Sequence, residues 1–149
     1  MEVFDEIIDG AVQESEVWAA AILPAHERQL MAVFSPLAPD DVAVGIETVY
    51  EAYLVHYGRP RLFLAPDEDE AVLLGDYLYA HGLVRVAEAG GVQAVRVLAD
   101  LISRCAALRA EGLGGDGDAW VNAARALGGT PDGDTVARAL ERHSARVAA

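Results

Sequence analysis

Grouped carboxylates are the residues of this chain that could bind a divalent metal. Four consecutive acidic residues occupy positions 67–70, directly after Pro66 and at the start of a helical pattern. Carboxylate oxygens bind Mg²⁺ and Ca²⁺, but carboxylates in the first turn of a helix also stabilise its positive end, by about 0.3–1 kcal/mol each. We favour the helix-dipole interpretation and keep metal binding as the alternative.

The glycine-rich segment 112–118 resembles two patterns of ligand-binding loops, but neither resemblance indicates a binding site. Gly112, Gly114 and Gly117 fit the dinucleotide pattern G-x-G-x-x-G, which binds pyrophosphate only between a strand and a helix. This segment follows a predicted helix in a chain without predicted strands. Its aspartates have the spacing of a calcium loop, but Trp120 occupies the third ligand position.

The histidines and the cysteine show no local signature of a metal site or an activated nucleophile. No two histidines have the i, i+3 or i, i+4 spacing of helical metal ligands; they are His26, His56, His81 and His143. His56 lies on an apolar helix face, which predicts a core histidine bonded to backbone or to a tyrosine hydroxyl. Cys105 lies on another apolar stripe, which predicts a packed, unreactive thiol.

Asp76 stands out because it lies among the apolar residues of a long predicted helix, far around the helix from its polar stripe. Removing a carboxylate from water is costly unless it is hydrogen-bonded or paired. Gly75, its neighbour, admits the close approach of another helix. Two interpretations remain open: an internal structural hydrogen bond, or a residue that orients a partner or ligand at an interface or pocket.

These residues are positioned by a predicted pair of long helices. The first is apolar on most of its circumference and covers residues 71–87, and the second covers residues 92–111. Gly90 and Gly91 between them let the chain turn back, which predicts an antiparallel pair. Other helical patterns predict helices at residues 2–23, 26–34, 40–57, 118–127 and 134–147, with Asp40 and Asp41 as caps of the third. We therefore predict an all-α, antiparallel helical bundle.

Length and composition narrow the class of protein. The 149 residues and a hydrophobic content of 53% predict one domain with a substantial core, organised as a bundle over residues 1–111 and a hinge with two short docking helices over 112–149. A net charge of −13, with no lysine among the eleven basic residues, argues against binding to nucleic acid or to an anionic membrane. No apolar run is long enough for membrane insertion, and the acidic start does not resemble a signal peptide, so we expect a cytoplasmic protein.

The segment AVLLGDYLYA at residues 71–80 resembles the A-V-L-x-G-D-x-L-x-A helix of trans-polyprenyl diphosphate synthases. Residues 52–56 are similar to the stretch that precedes the first aspartate-rich motif of that family, and residues 99–112 to its next helix. More faintly, residues 140–145 stand where the family has Lys-Thr-Ala. The resemblance implies the N-terminal half of the isoprenoid synthase fold.

The catalytic motifs of that family are missing. Tyr57 and Gly58 occupy the places of the first two aspartates, and the acidic pairs at 40–41 and 67–68 lack the required carboxylate at i+4. Only Arg28 remains where the family has Gly-Lys-Arg, and the second aspartate motif would fall beyond Ala149. Without these groups a diphosphate leaving group cannot be neutralised. We expect no catalysis by this chain alone and no cofactor bound to it.

The resemblance implies a non-catalytic small subunit of a heteromeric polyprenyl diphosphate synthase, which stabilises a catalytic partner carrying Mg²⁺ and helps set prenyl chain length. Its chain-length region would be Ala52, Tyr53 and His56. The partner interface would use the two long helices, through Leu74, Asp76, Tyr77, Leu78, Val95, Leu98, Leu101, Ile102 and Cys105. The alternative is a homodimeric helical interaction module unrelated to prenyl transfer.

Overall fold

The computed structural model describes residues 3–147, and this part of the chain is built from helices, which confirms the all-α prediction. A single antiparallel bridge joins Ile22 to Phe63, and no strand occurs among the described residues. The α-helices are α1 Val3–Glu14, α2 Glu16–Ala20, α3 Ala43–Tyr57, α4 Glu68–Ala110, α5 Asp116–Ala126 and α6 Gly133–Val147. Short 3₁₀ turns lie at Ala25–Glu27, Ser35–Leu37 and Asp40–Val42.

Helix α3 is the centre of the fold. Every residue from position 45 to position 54 is buried, because α1, α4, α6 and the segments flanking α3 cover it on all sides. Helices covered in this way carry apolar residues around most of their circumference. Gly58 ends α3 and lies against the backbone of Arg146 in α6.

Helix α4 is two helices joined at a sharp break. Gly91 has φ 71° and ψ −165°, a backbone conformation that favours glycine, and it separates a first arm, residues 68–90, from a second arm, residues 92–110. The first arm runs antiparallel to α3, since Gly82 lies beside Gly45 and Gly75 beside His56. The second arm runs back, and the turn predicted at Gly90 and Gly91 is confirmed.

The segment after the second arm packs on the rest of this chain. Trp120 of α5 stacks on Phe34 at a ring-centroid distance of 5.3 Å, and Ala139 of α6 belongs to the same core as Tyr50. A second core lies beneath α1 and includes Ile7, together with Leu62, Leu74 and Leu78. The first of these cores holds Phe34, Tyr50, Tyr53 and Trp120, and we call it the aromatic core.

Three predicted helix boundaries are wrong. Ser15 breaks the first predicted helix by capping α2, its hydroxyl accepting from the Val17 N–H at 3.0 Å; the predicted start at Glu2 lies outside the described residues. The predicted helix over 26–34 is a turn followed by extended chain, because Gln29 donates its N–H to the Arg61 carbonyl. The residue preceding α3 is Val42, and neither Asp40 nor Asp41 caps that helix.

The helices over residues 3–147 include none that combines the length and the apolar character needed to cross a membrane.

Candidate functional site

An exposed apolar stripe runs along the first arm of α4, on the side turned away from α3. Its members recur at helical spacing and all are solvent-exposed, with exposed fractions of 52% for Val72, 59% for Leu73 and 53% for Val84. We call this stripe the outer face; it consists of Val72, Leu73, Asp76, Ala80, Val84 and Ala87. Contiguous exposed apolar side chains of this kind are typical of interaction surfaces.

Asp76 is the charged member of the outer face. Its side chain is 66% exposed, so the expectation of a carboxylate on a dry side of the helix is wrong. The reason is that α3 and α1 cover the first arm on one side only, and the apolar residues around Asp76 face water. Its Oδ1 lies 3.6 Å from His56 Nε2.

His56 lies in the contact between α3 and the first arm. Its ring stacks on Tyr79 at 5.2 Å and rests on Gly75, where an added Cβ would collide with the imidazole. Burial lowers the pKa of His56, and the nearby carboxylate of Asp76 opposes this only in part. His56 is therefore neutral near pH 7 and does not neutralise Asp76. The sequence predicted a hydrogen bond from His56 to backbone or to a tyrosine hydroxyl, and among residues 3–147 it makes neither; its ring instead contacts Tyr57, Tyr79, Gly75 and the Asp76 carboxylate.

Most of the predicted partner interface lies inside the chain. Five of its nine side chains are at most 4% exposed: Leu74, Leu78, Leu98, Leu101 and Cys105. Tyr77, Val95 and Ile102 are partly covered. Buried side chains cannot also line a surface for a partner in this fold, so Asp76 is the one predicted interface residue that lies on the outer face. The packed-thiol prediction for Cys105 is confirmed, and burial raises the pKa of its thiol to about 12.

The predicted chain-length residues point to different parts of the molecule. Ala52 belongs to the core beneath α1, whereas Tyr53 belongs to the aromatic core on the other side of α3, and both are fully buried. His56 contacts the first arm of α4. The structure therefore does not bring the three residues together around one cavity.

A cluster of polar side chains lies at an open cleft of about 630 Å³ between the glycine-rich segment 112–118 and α6. Arg109 donates from Nε to Asp116 Oδ2 at 2.8 Å and from Nη2 to the Tyr53 hydroxyl at 2.7 Å, and that hydroxyl donates to Asp116. His143 Nδ1 lies 2.8 Å from the Tyr50 hydroxyl. These residues come from α3, α4, α5 and α6 and share no local sequence signal, which is why sequence reasoning missed the cluster.

His143 makes the stability of the fold depend on pH. Burial lowers the pKa of His143 from 6.5 to about 4, with Asp116 opposing the shift. Between pH 6.5 and about pH 4 the unfolded chain binds a proton at this histidine that the folded chain does not. The contribution of His143 to the free energy of unfolding is therefore fully present above the unfolded pKa and is lost as the pH falls toward the folded pKa. We expect the free energy of unfolding to drop by about 2 kcal/mol between pH 7 and pH 5 through this residue.

Urea unfolding at the two pH values measures this drop, and His143→Gln removes the titrating group while keeping an acceptor for Tyr50. The variant should lose about 2 kcal/mol less than the wild type over the same pH interval. His26→Gln is the matched control, because His26 is exposed. Equal pH dependence of wild type and His143→Gln would contradict the burial of a neutral imidazole.

The carboxylates noted in the sequence are placed as helix-terminal groups. Asp67 caps α4 by accepting from the Glu70 N–H at 2.8 Å, and the three acidic residues after it lie in the first turn. Within residues 3–147, no three His, Cys, Asp or Glu side chains are grouped as metal ligands.

Two glutamates of α3 form a buried ionic cluster with Arg61, which sequence reasoning also missed. The Arg61 guanidinium lies 2.5 Å from Glu47 Oε1 and 3.0 Å from Glu51 Oε1, and all three residues are fully buried. The remaining carboxylate oxygens accept backbone N–H groups of Val33, Ser35, Arg61 and Leu62. The cluster fastens the segments before and after α3 to that helix.

Comparison of the chain with protein-family models, with curated proteins and with solved structures gives no match in any of the three.

Proposed function

We propose that the chain is a non-catalytic subunit that docks onto a larger helical protein through the outer face of α4. The observation that carries this proposal is the row of exposed apolar side chains along the first arm, from Val72 to Ala87. The resemblance of residues 71–80 to polyprenyl diphosphate synthases suggests the partner, namely the catalytic chain of such an enzyme. The exposed fractions of these side chains support the proposed docking surface, and the resemblance alone supports the identity of the partner.

The physical support is the cost of leaving such a surface in water. Burying a Val or Leu side chain contributes roughly 1.5–3 kcal/mol relative to leaving it exposed, and three of these side chains lie on the outer face at more than half exposure. Alanines occupy the intervening positions, so a second helix can approach closely. A partner that covers the outer face recovers this free energy.

A supporting role also fits the residues at the end of α3. Where the family has its first aspartate-rich motif, this chain has Tyr57 and then Gly58, which ends the helix. Carboxylates at i and i+4 share a face only on a continuous helix. The proposed contribution of the chain is therefore to stabilise its partner. An influence on product length is proposed from the resemblance alone, since Ala52, Tyr53 and His56 do not surround one cavity.

Co-expression with a full-length polyprenyl diphosphate synthase from the same source tests the proposal. A tagged form of this chain should co-purify the synthase, and Leu73→Glu should abolish co-purification by placing a charge on the outer face. Val12→Glu is the matched control, because Val12 is similarly exposed but lies on α1. If the synthase never co-purifies and is fully active alone, the prenyl-synthase assignment is wrong.

The non-catalytic part of the proposal has its own measurement. The isolated chain, supplied with an allylic diphosphate, isopentenyl diphosphate and Mg²⁺, should form no prenyl product. Turnover in that assay would contradict it.

A further inference from the structure

We propose that Asp76 selects the occupant of the outer face: a partner helix that presents a Lys or Arg among apolar side chains. The same carboxylate rejects a second copy of this chain. This inference rests on the outer face as the docking surface of the proposed function, and it adds the chemistry of the partner.

The outer face carries negative charge only. Its six residues include one carboxylate and no cation, and the chain contains no lysine. When the same six residues of a second copy cover the face, Asp76 therefore meets either another Asp76 or an apolar side chain. A carboxylate buried without a partner costs several kcal/mol. Self-association through this face is disfavoured.

No lysine or arginine of the first arm reaches Asp76. Arg85 is the only Lys or Arg between residues 68 and 90, and it points to α1, where Nη1 lies 3.3 Å from Glu6 Oε2 and Nη2 donates to the Glu6 carbonyl at 2.9 Å. His56 is the nearest ring nitrogen, and burial lowers its pKa. The charge that pairs with Asp76 must come from the partner.

The outer face has the residue spacing of a contact between two helices. Leu73, Ala80 and Ala87 recur every seven residues, and Asp76 and Val84 lie between them. This spacing is that of a seam between two helices that cross at a shallow angle, and alanine at two of three seam positions permits close packing. One partner helix of about four turns covers the face, with its cation opposite the position of Asp76.

Long-range charge acts in the same direction. Two copies of a chain with a net charge of −13 repel each other, whereas a basic partner surface is attracted and steered toward the acidic one.

Self-association of Asp76→Leu tests the rejection of a second copy without any knowledge of the partner. By light scattering, the wild type should be monomeric and Asp76→Leu should dimerise, with self-association at least ~10-fold stronger, since the buried carboxylate is removed. Asp100→Leu makes the same substitution at an exposed position of the second arm, outside the outer face, and should remain monomeric. Adding Ala80→Glu to Asp76→Leu should restore the monomer, and circular dichroism checks that each variant is folded.

Two results would overturn the inference. If Asp76→Leu stays monomeric, the outer face does not support self-association even without the carboxylate, and Asp76 is not what prevents a dimer. If the wild type already dimerises and Ala80→Glu dissociates it, a second copy is the natural occupant.

The synthase chain tests the positive half of the inference. Asp76→Asn should weaken its binding at least ~10-fold, as expected for removal of one member of a buried charge pair, while Asp76→Glu restores most of the affinity and Glu88→Gln leaves it unchanged. If the synthase binds the wild type and Asp76→Asn with equal affinity, the proposed role of Asp76 is wrong, whereas the subunit proposal remains supported. Absence of any binding by the wild type would instead count against the synthase as partner, and the dimerisation test would still decide the role of Asp76.

Discussion

Arg61→Met is expected to lower the free energy of unfolding by about 3–5 kcal/mol, the usual cost of breaking a buried ion pair from one side. The guanidinium is fully buried and bonds to Glu47, to Glu51 and to the carbonyl of Met31 at 2.9 Å. Burial by itself lowers the pKa of Arg61, but the two carboxylates outweigh burial and raise it, so the side chain is charged. Methionine fills the volume and leaves two carboxylates without their counter-charge.

Urea denaturation of matched variants separates the loss of charge from the loss of packing. Arg96→Met changes the same residue type at an exposed helical position and should stay within about 0.5 kcal/mol of the wild type. Glu47→Gln and Glu51→Gln, added to Arg61→Met, should recover part of the lost stability, because glutamine keeps an acceptor for the backbone N–H groups. A loss below about 1 kcal/mol for Arg61→Met would contradict the buried cluster as the main fastening of these segments.

The ionic cluster also shows what the sequence could not predict. Glu47 and Glu51 are four residues apart on α3 and have the spacing of a solvated helix face. Their burial depends on Arg61, which lies 14 and 10 residues further along the chain in a loop. Local patterns predicted α3 and its end near Gly58, but the loop that covers its polar side is a tertiary feature with no periodic signal.

The proposed docking surface is only partly predictable from the sequence, for a related reason. The sequence shows that the first arm is apolar around most of its circumference. In the structure, α3 and α1 cover only part of this apolar surface, and Val72, Leu73 and Val84 remain exposed. Which side of the arm remains exposed depends on where α3 packs. Gly75 and Gly82, seven residues apart, mark that contact, and this spacing is the signal that would have placed the outer face on the opposite side.

Local sequence patterns do not predict the polar cleft, because its residues are far apart in the sequence. Asp116 and His143 come from separate helices, and their hydroxyl partners Tyr53 and Tyr50 come from α3, 63 and 93 residues away in sequence. Each looks ordinary in its own segment. They meet because α5 and α6 pack against the side of α3 that carries Tyr50 and Tyr53. Hydrophobic periodicity predicts that these two helices pack on the bundle, but it does not predict their orientation.

Gly82→Leu is expected to destabilise the fold by about 3 kcal/mol or more, since overpacking a close helix contact displaces both backbones. A Cβ at position 82 would lie 2.6 Å from Val49 Cγ2 and 3.1 Å from the Gly45 carbonyl oxygen. The better helix propensity of leucine offsets less than about 1 kcal/mol of this cost. Gly133→Leu is the control, because Gly133 begins α6 with no neighbouring atom within 4 Å, and it should be close to neutral.

The same substitution links the fold to the proposed docking surface. The Gly45–Gly82 contact fixes the rotation of the first arm against α3, and that rotation determines that Val72, Asp76 and Val84 face outward. In a folded fraction of Gly82→Leu the arm must shift away from α3, so binding of a partner should weaken beyond what the loss of folded protein explains. Measuring affinity per folded molecule, by titration alongside circular dichroism, tests this. Unchanged affinity per folded molecule would mean that the outer face does not depend on the glycine contact.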